Sequence, residues 1–254
     1  MNDCGITYVA WGRGVAQAAR SAATAQSFGY STCLITTDRA PSAFHHIIKV
    51  EGPLRSPSDK VAYYQLSPYP VTLFLDTDTF VMDSLDFGFQ QARLHGLSLA
   101  LAPACFVGPH WGLDVDPNLQ QYNAGVIFHN REHPSYRNLW DEVEAVLRRE
   151  WVTGQTPPPI NDQSALSLHL HRMGLNPYVL APNWNLRPQF GMRTGFGGIK
   201  IWHCGEPPPA GLATEGFWRV GNPYHRPQVV LRRLLTRLKR RLFQSSKYFS
   251  SSVP

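Results

Sequence analysis

Apolar and polar positions follow two periods along this chain. Residues 5–10, 31–37 and Val71–Leu75 are short, nearly continuous apolar runs bounded by polar or turn residues. Such runs predict strands, and the third reads as one buried on both faces. Further strands are expected at 97–102 and 125–129. Between them the spacing lengthens. Residues 15–28 are rich in Ala and close on Gly29, the pattern of a helix with a glycine C-cap. Ser58 is placed to cap a short helix through Leu66. Tyr136, Leu139, Trp140, Val143, Val146 and Leu147 recur at helical spacing, and 161–173 predicts a helix ending at Gly174. Residues 153–160, with Pro157, Pro158 and Pro159, read as a loop, and 181–225 as mostly irregular. No internal repeat is present. Strands alternating with helices point to an α/β domain with a mainly parallel central sheet flanked by helices.

Composition supports one large domain. Of the 254 residues 43% are hydrophobic and 17% charged, the reverse of a disordered chain. The net charge of +6 suggests an anionic partner until it is divided. Residues 226–254 hold eight Lys and Arg and no acid, which leaves 16 bases against 18 acids in 1–225. The basic character therefore belongs to the C-terminus. There Leu231, Leu234, Leu235, Leu238 and Leu242 share one side of a helical wheel, and Arg232, Arg233, Arg237, Lys239, Arg240 and Arg241 fill the rest. This predicts three parts: a domain over 1–225, a basic amphipathic helix over 226–243 and a flexible tail over 244–254. The helix suits an anionic membrane surface, or a leucine face docked on protein. Few aromatics interleave the bases, which argues against nucleic acid. No apolar run reaches 18 residues, so no transmembrane helix is expected. The first residues lack the pattern of a secretory signal, and Cys4, Cys33, Cys105 and Cys204 form no Cys-x-x-Cys pair. The expected setting is cytoplasmic, peripheral at the inner membrane surface.

The chemistry concentrates behind the buried strand. Asp76-Thr77-Asp78 follows Leu75 directly, and ligands of open α/β sheets bind beyond the carboxyl ends of strands. Two carboxylates one residue apart can share a hard divalent cation, which can in turn hold a diphosphate. Asp114-Val115-Asp116 has the same spacing but lies between Gly112 and Pro117, where it reads as turn chemistry. Two reactions use such a pair: metal-assisted transfer from a nucleotide sugar, and aspartyl-phosphate chemistry of the haloacid-dehalogenase type with Asp76 as nucleophile. The second requires a later Gly-Asp-x-x-x-Asp cluster, which the sequence lacks, and normally uses the first strand. Trp111, Trp184 and Trp202 offer faces for stacking on sugars, with Trp111 and Trp184 the candidates for an acceptor site.

Taken in order, the segments around this pair resemble GT-A fold glycosyltransferases, close to the family 8 and glycogenin-like group. They are Gly5-Ile6-Thr7-Tyr8-Val9-Ala10, the stretch around Lys60, Leu75-Asp76-Thr77-Asp78-Thr79, Asn123-Ala124-Gly125, Asn161-Asp162-Gln163, Pro182-Asn183-Trp184-Asn185 and Trp202-His203-Cys204-Gly205. The resemblance covers roughly residues 5–206. It implies an enzyme moving a hexose from a nucleotide diphosphate sugar, UDP-linked by expectation, to a hydroxyl of a glycan, lipid-linked or protein acceptor, with retention of configuration. A catalytically inactive nucleotide-sugar binder is the non-enzymatic alternative.

The resemblance also implies residue roles. Asp76, Asp78 and His203 would hold Mn²⁺ or Mg²⁺. Thr7, Tyr8, Ala10, Lys60, Asp76 and Thr77 would contact the donor nucleotide and its phosphates. Asn123, Ala124, Gly125 and Asp162 would line the sugar pocket, with Asp162 and Gln163 as the catalytic pair. The amide of Gln163 would lie beneath the anomeric carbon. The family commonly continues as His-x-x-Gly-x-x-Lys-Pro-Trp. Here His203-Cys204-Gly205-Glu206-Pro207 has one residue fewer before Gly and no Lys. Lys200, Arg187 and Arg193 are the cations near enough in sequence to replace that Lys.

Overall fold

The computed structural model describes residues 3–52, 54, 56–106, 119–151, 161–188, 198–210 and 212. Two stretches singled out above, the Asp114–Asp116 pair and the basic C-terminal helix with its tail, lie outside them, as does the loop over 153–160. Among the described residues no helix is long and apolar enough to cross a membrane.

Among the described residues nine strands are present, β1 (Cys4–Val9), β2 (Thr32–Thr36), β3 (His46–Lys49), β4 (Val71–Leu75), β5 (Thr79–Val81), β6 (Leu97–Phe106), β7 (Gln120–Asn130), β8 (Tyr178–Leu180) and β9 (Ile201–His203). Seven form one sheet in the order β3-β2-β1-β4-β7-β6-β8. The pairings β1–β2, β1–β4, β2–β3 and β6–β8 are parallel, whereas β7 runs antiparallel to both neighbours. The mainly parallel α/β sheet expected from the sequence is therefore what forms. It is joined by a two-stranded ribbon of β5 and β9, which the sequence pattern did not foreshadow.

The elements follow from their side chains. Every residue of β4 is buried, as its unbroken apolar run requires. Helix α1 (Arg13–Gln26) turns Val15, Ala18, Ala22 and Ala25 inward, and Gly29 beyond it takes φ 83°, the left-handed geometry that glycine adopts without steric cost. Helices α2 (Asp86–His95), α3 (Leu139–Trp151) and α4 (Asp162–Arg172) complete the set. The segment Pro57–Leu66 is a long 3-10 helix. Its cap is Ser56 rather than Ser58: the Ser56 hydroxyl accepts from the Ser58 amide, and Asp59 closes a capping box. Within 181–225 the described residues hold more order than expected, namely the 3-10 turn Pro182–Asn185 and strand β9.

The sheet has a core on each face. One gathers Phe74, Ile127, Trp140, Val143 and Leu166 beneath α3 and α4. The other gathers Ile6, Tyr8, Leu73, Phe89, Phe128 and Trp184 around α1 and α2. Because β1 and β4 are parallel, their carboxyl ends open on the same edge. Strand β7 is antiparallel, so its first half reaches that edge too, and the functional segments meet there.

Candidate functional site

An open cleft of about 1230 Å³ lies along this edge. Its floor is the end of β4 and the turn after it. Asp76 is fixed by backbone: its amide donates to the Gly125 carbonyl at 2.9 Å, and its carbonyl accepts from Thr79 Oγ1 at 2.8 Å. Strand β5 follows at once and pairs with β9 in the register Thr79↔His203. That register carries His203 across a long stretch of chain to the acidic turn. His203 Nε2 stands 3.2 Å from Asp78 Oδ1 and 3.6 Å from Asp76 Oδ2. The three residues present ligand atoms all within 4.8 Å of one another.

The electrostatics are compact. Burial alone would raise the Asp78 pKa. The hydrogen bond from His203 and its charge, a backbone amide and the Arg187 charge outweigh it and hold Asp78 below the usual carboxylate value. Lys60 is buried, not on an exposed helix face. Its Nζ lies 2.5 Å from Asp76 Oδ1 and 3.0 Å from Asp162 Oδ2. Burial would lower its pKa, but Asp162 and Asp76 hold it well above the ordinary lysine value.

Helix α4 contributes its first turn. Its cap is Asn161, whose Oδ1 accepts from the Ser164 amide at 2.9 Å and hydroxyl at 2.8 Å. Asp162 is thereby left to face Lys60. Next to it, Gln163 Oε1 accepts from Asn123 Nδ2 at 2.9 Å, and Asn123 Oδ1 accepts from the Gly125 amide at 2.9 Å. One asparagine thus ties α4 to β7. Ala10, Lys60, Asp76, Thr77, Asp78, Asn123, Ala124, Gly125, Asp162 and Gln163 all line the cleft.

Three residues proposed for the site do not reach it. Thr7 and Tyr8 are fully buried within β1. Thr7 Oγ1 pairs with Ser67 Oγ and the Tyr8 hydroxyl with Ser21 Oγ, each at 2.9 Å. Val9, the last residue of β1, and Ala10 just past it are the parts of that segment that line the cleft. Trp184 is 5% exposed and packs against Phe128 and Phe87. It is a core residue rather than an acceptor platform, and Trp202 is likewise buried. Trp111 lies outside the described residues. Of the three cations that could replace the missing Lys, Arg187 lines the cleft. Lys200 is held by Asp83 at 2.5 Å, and Arg193 lies outside the described residues.

Other cleft residues had no sequence signal. Trp11, Arg13, Gln17 and Arg20 line it from α1 and the turn before it, and Thr77 Oγ1 donates to Gln17 Oε1 at 3.3 Å. The i, i+4, i+7 spacing of Arg13, Gln17 and Arg20 could have grouped them, but only once a ligand-facing side of α1 was known.

The donors suit a hard or borderline divalent cation, two carboxylates and one imidazole. Space is kept for it by Gly125: a Cβ there would fall 2.4 Å from Asp76 Oδ2 and 2.5 Å from His203 Cε1. Gly125→Ala should close the space between these three residues to a divalent cation, tested with Mn²⁺, and cost about 1–3 kcal/mol of stability through overpacking. Urea denaturation and a Mn²⁺ titration followed by electron paramagnetic resonance check both. Wild-type affinity in the variant would show that the centre does not need this gap.

No family model and no curated protein matches the chain. Solved structures do. Galactosyltransferase LgtC, in complex with donor and acceptor sugar analogues, superposes with a TM-score of 0.55 at 14% identity over 80% of this chain and 87% of that one. Mouse xyloside xylosyltransferase 1 gives 0.53 at 15% identity over 81% and 99%. The glycosyltransferase GlyE of Streptococcus pneumoniae TIGR4 gives 0.51 at 15% over 73% of this chain, which spans 47% of GlyE. The fold is that of the GT-A glycosyltransferases. Within it, the Asp-x-Asp turn lies at the end of a central strand, close to His203.

Proposed function

We propose that this chain is a metal-dependent glycosyltransferase, moving a hexose from a nucleotide diphosphate sugar, UDP-linked in our reading, to a hydroxyl acceptor with retention of configuration. The observation that carries this reading is the meeting of Asp76, Asp78 and His203 at one point on the cleft floor of a GT-A fold. The matched structures support this reading. LgtC was solved with donor and acceptor sugar analogues, and another LgtC structure carries an active-site glutamine replaced by glutamate.

Asp76, Asp78 and His203 would hold Mn²⁺ or Mg²⁺. Such an ion, when bound, neutralises charge that grows on the departing diphosphate. The remaining work falls to the protein. Lys60 keeps a fixed positive charge at the floor of the cleft, because its two carboxylate partners hold it protonated. Arg187 supplies a second cation on the wall, in the role of the Lys missing after Gly205. Asp162 and Asn123 offer acceptors and donors to sugar hydroxyls. Gln163 is steadied by Asn123 through its Oε1, which leaves its NH₂ group for the sugar face. A neutral amide is a poor nucleophile. Retention is therefore best served by front-face attack, the acceptor oxygen approaching on the side from which the nucleotide leaves, with the amide dipole supporting positive charge at the anomeric carbon.

UDP with Mn²⁺ should raise the melting temperature by several degrees, and neither alone should do as much. One hundredfold saturation corresponds to about 2.7 kcal/mol. Absence of that shift, together with phosphatase activity on a generic ester, would move the assignment to aspartyl-phosphate chemistry at Asp76.

A further inference from the structure

Behind His203 lies a side chain that never enters the cleft. Asn185 ends the 3-10 turn Pro182–Asn185 and is 1% exposed. Its Oδ1 stands 2.8 Å from His203 Nδ1. The turn is fastened to β9 on both sides of this contact. The Leu186 amide donates to the Ile201 carbonyl at 2.9 Å, the His203 amide to the Leu186 carbonyl at 2.8 Å, and the Lys200 amide to the Asn183 carbonyl at 2.9 Å. These bonds fix the main chain on either side of the contact, so the two side chains leave from held positions.

The hydrogen-bond balance of Asn185 is unusual. Its Nδ2 is buried and has no hydrogen-bond partner among the described residues. Burying an unpaired amide N–H costs about 1–3 kcal/mol, and a leucine of similar size would avoid that cost. Among the described residues the side chain's hydrogen-bond partner is the imidazole. On the assumption that His203 faces a cation, as the functional reading above holds, we infer that Asn185 is a positioning residue for that ligand. Its Oδ1 accepts a hydrogen bond from Nδ1–H, so that with a cation between the three residues Nε2 can turn its lone pair to it in place of the hydrogen bond it gives Asp78. Imidazole ligands are generally fixed in tautomer and ring orientation by a partner on the other nitrogen, and losing that partner typically lowers metal affinity 10- to 100-fold. The amide acts as a selector: turned the other way, Nδ2 would donate to Nδ1 and leave the proton on Nε2, where a cation cannot bind.

The test uses the full chain and Mn²⁺ alone, so that no donor need be known. Asn185→Asp keeps the acceptor and Asn185→Leu deletes it at nearly constant size. Free Mn²⁺ measured by electron paramagnetic resonance should give wild-type and Asn185→Asp affinities within threefold of each other, and a 10- to 100-fold weaker Asn185→Leu. Asn185→Leu should melt close to the wild type, since the unpaired Nδ2–H is gone but the buried His203 Nδ1–H loses its acceptor. Equal Mn²⁺ affinity in all three proteins overturns the inference. Failure of the wild type to bind Mn²⁺, with His203→Ala indistinguishable from it, overturns the metal-centre reading instead. Long-range ¹H–¹⁵N spectra of the histidine rings with excess Mg²⁺ decide the case even if Asn185→Leu does not fold. An Nδ1–H tautomer for His203 in wild type and Asn185→Asp supports the inference, and an Nε2–H tautomer in either overturns it.

Discussion

Asp78→Asn is expected to remove metal-dependent hydrolysis of the donor sugar almost completely. Asp78 sits nearest His203 and is held ionised by that ring, a backbone amide and the Arg187 charge against the opposing pull of burial. The asparagine keeps the shape and one carbonyl oxygen but loses the charge. Lewis-acid stabilisation of developing charge is worth several kcal/mol, and each 1.36 kcal/mol is tenfold in rate. A loss of about a thousandfold or more follows. Donor hydrolysis at several Mn²⁺ concentrations is the measurement. Activity restored by raising Mn²⁺ would show that Asp78 contributes only affinity, and unchanged hydrolysis would remove it from the centre.

Lys60→Met should have the largest effect on the fold itself. The methionine keeps an apolar stem while the charge between Asp76 and Asp162 disappears. Removing one partner of a buried ion pair costs about 3–5 kcal/mol, because the remaining charge stays buried and unpaired. The lower end applies here: the Asp162 side chain is 11% exposed, but Asp76 is 31% exposed and partly solvated. A loss near 3 kcal/mol would lower the melting temperature by roughly 6 °C or more for a domain of this size. Adding Asp162→Asn should recover part of the loss, since the orphaned carboxylate is then neutral. A variant as stable as the wild type, in both urea and thermal unfolding, would show that water rather than Lys60 balances these acids.

The sequence and the structure agree where one physical cue dominates. Strand β4 matches its apolar run residue for residue, because both of its faces are covered. Asp76 and Asp78 were legible for the same reason: the strand-end rule needs only the strand. Elements whose cues conflict were missed. Strand β3 is an edge strand with three of its four residues exposed, so His46 and Lys49 mask Ile47 and Ile48. Helix α2 buries Gly88 and Gln91 while leaving Phe87 and Leu94 exposed, which blurs its stripe. Thr7 and Tyr8, assigned to the donor by resemblance, are buried: resemblance to a strand does not mark depth along it. The cleft begins only at its last residue, Val9. Asp162 and Lys60 each suggested a site from resemblance, yet nothing in either segment announced that they would pair. That pairing depends on where α4 and the Pro57–Leu66 helix pack, a tertiary outcome.

The β5–β9 ribbon bears on how the molecule comes to be active. Strand β5 begins one residue after Asp78, and His203 closes β9. The centre is thus assembled by zipping together two three-residue strands separated by most of the domain. Contacts of such sequence separation form late, after loop-closure entropy has been overcome by the packing between. The seven-stranded sheet contains neither strand and can order before them. A nascent chain halted before residue 201 would therefore own its main sheet, its aspartates and its lysine, and still lack the imidazole. The meeting of Asp76, Asp78 and His203 thus reports on completion of the fold, and any ligand that needs all three would favour that last step by mass action.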